Sequence, residues 1–188
     1  SATGRQLQES AIRRMGTVVA HAKDLVSFAP GYPDPRLFPW DELREISSSL
    51  LTGSDGDVLQ YGPTRGYAPL LEAIAGELHG RGIDATLDQL IITSGSQQGV
   101  DLAARVLVSP GEVVLVELPT FTGGIAAFKN AQARVVGIRQ ADDGIDLDDL
   151  DRVWQRETRA GRRVKLLYII PNFQNPTGRL LALDKRAQ

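Results

Sequence analysis

Between residues 90 and 170 short apolar runs alternate with amphipathic stretches, and this rhythm restricts the possible folds more than anything else in the chain. LIITS (90–94), VVLVE (113–117), RVVGI (134–138) and KLLYII (165–170) read as strands. SQQGVDLAARVLV (96–108), GGIAAFKNA (123–131) and IDLDDLDRVWQRETRA (145–160) read as the helices between and beside them. Strands this short and continuously apolar, separated by helices, predict a largely parallel sheet covered on both faces. The expected class is therefore α/β, with the four strands in one sheet.

Upstream the pattern is different. RQLQESAIRRM (5–15) reads as an amphipathic helix, a second helix is expected from Trp40 or Asp41 to about Leu51, and APLLEAIAGELH (68–79) reads as a third. Asp41 is the candidate N-cap of the second. Between the first two, DLVSFAPGYPDPRLFPW interleaves prolines with apolar residues, so an ordered loop is expected with Phe28, Leu37, Phe38 and Trp40 seeking burial. TGSDGD (52–57) reads as a surface turn, and neither internal repeats nor low-complexity tracts occur.

Composition narrows the function classes. Of 188 residues 42% are hydrophobic and 23% charged, as in an ordinary soluble globular protein. The net charge of −2 and the scattered arginines leave no nucleic-acid footprint. The chain has no cysteine, which excludes disulfides and thiolate metal sites and agrees with a reducing cytoplasm. No apolar run is long enough to span a membrane, and the first residues lack a signal-peptide core. His21 and His79 stand apart from each other and from any acidic cluster, so no metal site is expected and both read as surface or satisfied histidines.

In open α/β sheets ligands collect at the carboxyl ends of the strands. Three turns there carry unusual residues. In TSGSQQG (93–99) a strand runs through Ser-Gly-Ser straight into a helix, where Gly95 permits close approach and the helix start offers N–H groups to an anion. It is neither a phosphate-binding Walker loop nor a dinucleotide fingerprint, and a serine-capped helix would give the same letters. ELPTFTGG (117–124) places Phe121 where its ring could lie against a planar ligand or simply join the core. PNFQNPTG (171–178) puts amide side chains, which both donate and accept, into a turn that proline and glycine alone would build. An anion cradle, an aromatic plate and amides together suit a phosphorylated aromatic cofactor.

Four stretches in order, SFAPGYPDPRLFP, QYGPTRGYAPLLEAIA, TSGSQQGVDLAARVL and LLYIIPNFQNPTG, give the chain a specific resemblance. It resembles the N-terminal half of a class I/II aminotransferase, a fold type I pyridoxal-phosphate enzyme. The similar branch contains the 2-aminoadipate and kynurenine aminotransferases and the aminotransferase-like domains of some transcriptional regulators. The resemblance implies an N-terminal arm and small-domain segment over residues 1–50. The first part of a cofactor-binding large domain would then follow over 51–188, its mostly parallel sheet flanked by helices.

The resemblance also implies roles. Ser96 and Gln97 would hold the phosphate of pyridoxal 5'-phosphate. Phe121 would stack on its ring, without the hydroxyl that relatives with tyrosine carry there. Asn175 would bond the ring's phenolic oxygen and border the substrate. Tyr61 would reach the phosphate of a partner subunit's cofactor in a homodimer. Gly31 would leave room for the substrate carboxylate. The substrates implied are an amino acid and a 2-oxo acid, in the cytoplasm, with no nucleic acid or membrane as partner. Leu118–Pro119 and Asn175–Pro176 are expected as cis peptide bonds.

The family's Schiff-base lysine, its ring-nitrogen aspartate and its carboxylate-clamping arginine lie downstream of the NPTG motif. Here only Lys23, Lys129, Lys165 and Lys185 occur, none in a serine-rich context. No catalytic residue is therefore expected within the chain, and Lys185 reads as a solvated lysine on the helix after NPTG. Residues 1–188 alone are expected to be an inactive portion of an aminotransferase. Two other readings share the fold: the ligand-sensing domain of a regulator, disfavoured because only about 25 residues precede DLVSFAPG, and a pyridoxal-phosphate lyase or decarboxylase.

Overall fold

The computed structural model describes residues 31–53 and 56–188, together with Gly4. The helix expected at 5–15, and with it Phe28, His21 and Lys23, lies outside the described residues. By internal contacts the described residues divide into two compact units, one ending at Ile92 and the other spanning Thr93–Gln188.

In the first unit, helix α1 spans Trp40–Thr52 and helix α2 Ala68–Gly80. α1 starts one residue ahead of the expected cap. Its N-cap is Pro39, and Asp41 instead lies in the first turn beside Glu42, where carboxylates complement the helix dipole, and accepts from Arg44 at 2.5 Å. Leu37, Phe38 and Trp40 are all exposed, contrary to the burial expected for them, and Phe38 meets Trp40 edge to face at 5.7 Å. Proline near its first position starts α2, which buries Leu71.

The apolar run 90–94 does not form a strand. The N–H of Ile92 donates to the Arg65 carbonyl at 2.8 Å outside any ladder. A β-carbon on Gly66 would come within 2.3 Å of Ile92 Cγ1, so the two segments cross at a point only glycine fits. A strand is defined by its pairing, and among the described residues no segment pairs with this one.

The second unit holds the sheet. Strands β1 (Val113–Leu118), β2 (Arg134–Ala141), β3 (Gly144–Ile145) and β4 (Val164–Tyr168) lie in the order β3-β2-β1-β4. β1 pairs in parallel with β2 and β4, and the short β3, unanticipated in the sequence, folds back antiparallel on β2. Helices α3 (Ser96–Leu107), α4 (Thr122–Asn130) and α5 (Leu147–Arg159) flank it, and α6 (Leu183–Ala187) follows the last turn. β1 is buried on both faces. Val114 and Val116 pack with Ala104, Val108, Ala127 and Phe128, while Val113 and Leu115 pack with Ile138, Ile145, Val153 and Leu181. Alternation of side chains along one strand thus fills two cores, the arrangement that uninterrupted apolar strands predict. β4, by contrast, alternates half-buried and exposed positions at the sheet's edge.

α5 carries a buried charge. Glu157 is fully buried, and its carboxylate accepts from Arg162 Nε at 2.5 Å, Arg156 Nε at 3.0 Å and Arg134 Nε at 3.2 Å. The Arg162 bond, helped by Arg156 and Arg134 against the cost of burial, lowers its pKa from 4.5 to about 2. A carboxyl group with a depressed folded-state pKa stabilises the fold fully above its unfolded value and loses that contribution as the pH falls through the folded one. Urea denaturation followed by circular dichroism is therefore expected to show stability declining from about pH 4.5 towards about pH 2. Glu157→Gln is expected to cost about 2–3 kcal/mol at pH 7 and to flatten that acid limb.

Candidate active site

α3 begins without help from a side chain. Its N-cap is Gly95, at φ +80° and ψ 166°, a conformation that favours glycine, and no side chain caps the first-turn N–H groups. The serine-capped alternative is thus not what forms. The Thr93 hydroxyl donates to the Gly95 carbonyl at 3.1 Å and the Ser94 N–H to Gln98 Oε1 at 2.5 Å, which shapes the turn while Ser96 and Gln97 stay exposed.

Gln97 ties this turn to the next one. Its Nε2 donates to the Gly123 carbonyl at 3.0 Å. A β-carbon on Gly123 would fall 2.2 Å from Gln97 Oε1 and 2.5 Å from two ring carbons of Phe121, so the amide and the ring close over that glycine. Phe121 is the N-cap of α4 and half-buried. Neighbouring Gly124 faces the Tyr168 ring, which meets Phe128 edge to face at 5.4 Å. Burial, with the Glu117 charge behind it, raises the pKa of the Tyr168 phenol.

The third turn is held from beneath. Glu117 and Gln174 are each only 3% exposed. Glu117 Oε2 accepts from the Ile170 N–H at 2.9 Å and from Gln174 Nε2 at 3.4 Å. Gln174 Nε2 also donates to the Pro119 carbonyl at 2.8 Å, and Gln174 Oε1 accepts from the Thr177 N–H at 3.0 Å and its hydroxyl at 2.7 Å. Gln140, on β2, donates to the same Pro119 carbonyl at 3.1 Å. The turns at 93–99, 117–124 and 171–178 are thereby linked in series at the carboxyl end of β1. Both expected cis bonds, Leu118–Pro119 and Asn175–Pro176, are present, and Phe173 adopts a left-handed φ of +50°.

The two asparagines of the turn part company. Asn172 Oδ1 accepts from Arg186 Nη2 at 2.7 Å, a structural role, whereas Asn175 is exposed beyond buried Gln174. Lys185 is not the solvated lysine expected from the sequence: its side chain is 15% exposed, and Nζ donates to Asp143 Oδ1 at 2.6 Å and to the Ile145 carbonyl at 3.0 Å. In the other unit, Tyr61 is 98% exposed, and Gly31 has a φ of +63° with open space where a β-carbon would stand. Sequence reasoning missed Glu117, Gln140, Gln174 and Thr177. The one signal available was an acidic residue ending an otherwise apolar strand.

The profile of the family described as aminotransferase class I and II matches residues 32–187. Among its relatives, the 2-aminoadipate transaminase of Thermus thermophilus is 38% identical over 181 residues, which are 96% of this chain and 43% of the relative. The aromatic-amino-acid aminotransferase 1 of Thermococcus litoralis is 37% identical over 92% of this chain and 41% of its own length. A transcriptional regulator of Escherichia coli, YdcR, is 32% identical over 87% of this chain and 34% of the regulator. Pyrococcus horikoshii kynurenine aminotransferase, solved in complex with PMP, superposes at a TM-score of 0.90 with 34% identity, covering 100% of this chain and 46% of that one. The chain spans less than half the length of these relatives. Sequence and fold agree that it belongs to the class I and II aminotransferase family.

Proposed function

We propose that residues 1–188 are the N-terminal part of a cytoplasmic, homodimeric aminotransferase that moves an amino group between an amino acid and a 2-oxo acid with pyridoxal 5'-phosphate. The observation that carries this reading is the meeting of the α3 start, the Phe121 ring and the 171–178 turn at one end of the sheet. The donor set fits the cofactor. An uncapped helix start beside a serine hydroxyl suits a phosphate dianion, and a half-buried ring over glycine suits a pyridine. On this reading the small-domain segment covers residues 1–50 and the large domain begins at residue 51.

When bound, pyridoxal phosphate supplies an electron sink for the substrate's α-carbon. The chain's own residues bind and orient. Ser96 and the first N–H groups of α3 hold the phosphate with Gln97, which is itself steadied on the Gly123 carbonyl. Phe121 sets the plane of the ring. Asn175 donates to the phenolic oxygen and thereby holds negative charge at that atom. Gly31 leaves space for the substrate carboxylate. Tyr61, 98% exposed, is free to donate to the phosphate in a partner subunit. The similarity to YdcR favours a second, weaker reading, a pyridoxal-phosphate-sensing domain of a regulator, which spectroscopic turnover with amino donors would exclude.

In the full-length protein, Phe121→Ala is expected to weaken pyridoxal phosphate binding about 10-fold in a spectrophotometric titration. Gly123→Ala should act in the same direction, because its β-carbon displaces both Phe121 and Gln97.

Sedimentation of the full-length enzyme is expected to show a dimer, and Tyr61→Phe to raise the phosphate-dependent dissociation constant about 10-fold. A monomer that retains full activity would contradict the interface role.

For the 188-residue chain itself, incubation with pyridoxal phosphate, borohydride reduction and peptide mass mapping are expected to reveal no single preferred lysine. Lys185 in particular is already engaged by Asp143 and the Ile145 carbonyl. Stoichiometric labelling of one lysine together with amino-group transfer would refute the proposed incompleteness.

A further inference from the structure

We propose that Gln174, anchored on the buried carboxylate of Glu117, is the positioning residue that fixes Asn175 for its contact with the cofactor ring. The inference rests on the aminotransferase reading of Asn175 and extends it to residues that touch no ligand.

Gln174 and Asn175 are adjacent amides with opposite fates. An amide has two N–H donors and one oxygen with two lone pairs. In Gln174 all four are used: Nε2 meets Pro119 O and Glu117 Oε2, and Oε1 takes the N–H and the hydroxyl of Thr177. The backbone closes the same loop, with the Gln174 N–H donating to the Arg179 carbonyl at 2.9 Å and its carbonyl accepting from the Gly178 N–H at 2.5 Å. Asn175 leaves this fixed residue on one side and enters the bond to Pro176 on the other. Its exposed side chain is thus carried on a backbone whose direction is set by its neighbour.

Glu117 makes the anchor specific. Its carboxylate stands one residue before the end of the most deeply buried strand and takes the Ile170 N–H just past β4, so it fixes the point where the chain leaves the sheet. A buried carboxylate is costly without donors, and among the described residues its donors are Ile170 N–H and the Gln174 amide. The geometry ties β1, the exit from β4 and the asparagine turn into one unit. Gln140 on β2, whose Nε2 donates to the same Pro119 carbonyl at 3.1 Å, adds that strand.

The test uses the full-length enzyme loaded with pyridoxal phosphate and reads the pH at which the bound group's absorption changes. Asn175→Ala, which removes the direct contact, is expected to shift that midpoint by about one pH unit, the equivalent of one hydrogen bond. Gln174→Leu is expected to shift it in the same direction by a similar amount. The decisive comparison is the double variant: Gln174→Leu should add nothing once Asn175 is alanine, because both act through one contact. Thr177→Val, which removes a single donor to Gln174 and keeps the fold if Gln174→Leu does not, should give a smaller shift of the same sign. If Asn175→Ala moves the midpoint while Gln174→Leu and Thr177→Val leave it unchanged, or if the single shifts add, the positioning role is wrong and the reading of Asn175 survives. If Asn175→Ala leaves the midpoint where it was, that reading fails and this inference fails with it.

Discussion

The structure depends on β1 being buried from both sides. Four successive residues, Val113 to Val116, have almost no accessible surface, and they serve two separate cores in alternation. Burying an aliphatic side chain of this kind contributes about 1.5–3 kcal/mol, and among the described residues no other element buries as long an uninterrupted run. The direction and endpoint of β1 are therefore fixed by packing on both faces. Glu117, Pro119 and Phe121 follow within about five residues of that core, so the turns around them inherit their rigidity from this strand.

The candidate site is built in two layers. The outer layer consists of exposed Ser96, Gln97 and Asn175 with half-buried Phe121, residue types that can meet a ligand. Beneath it lies Glu117 with Gln174, both buried, and Gln140 and Thr177 at the margins. Polar groups removed from water must find partners, so the lower layer is specific about geometry in a way that apolar packing alone is not. A loop of this length held only by proline and glycine would have a shape; held by Gln174 it has a fixed connection to the sheet.

The fold was largely readable in the letters because its signals are local. Apolar runs at 113–117, 134–138 and 165–170 match strands within a few residues, and the helical readings near 96–108, 123–131 and 145–160 match helices at Ser96–Leu107, Thr122–Asn130 and Leu147–Arg159. The run at 90–94 shows the limit. Its composition suits a strand, yet pairing is a property of two segments, and here Ile92 bonds to Arg65 instead. β3 was missed for the opposite reason: Gly144–Ile145 is too short to carry a pattern and exists only because β2 continues past a tight turn to receive it. Ser96, Phe121 and Asn175 stood out because their turns looked odd. Glu117 and Gln174 did not, since 53 and 57 residues separate the hydrogen-bonded groups. Lys185 was misjudged likewise, its partners Asp143 and Ile145 lying some 40 residues back.

The position of β4 at the margin of the sheet bears on how the isolated polypeptide behaves in solution. One side of β4 is bonded to β1, and among the described residues no strand pairs with the other, along which Leu167 is 38% exposed. An unguarded margin of this kind is a template on which another strand can add. The arginines and aspartates that keep the rest of this surface well hydrated do not extend along it: Lys165 is the lone charged side chain on β4. Preparations of residues 1–188 should accordingly be judged by their colloidal behaviour at this margin as much as by the integrity of their core, and one additional lysine there would be a more effective solubilising change than any substitution inside.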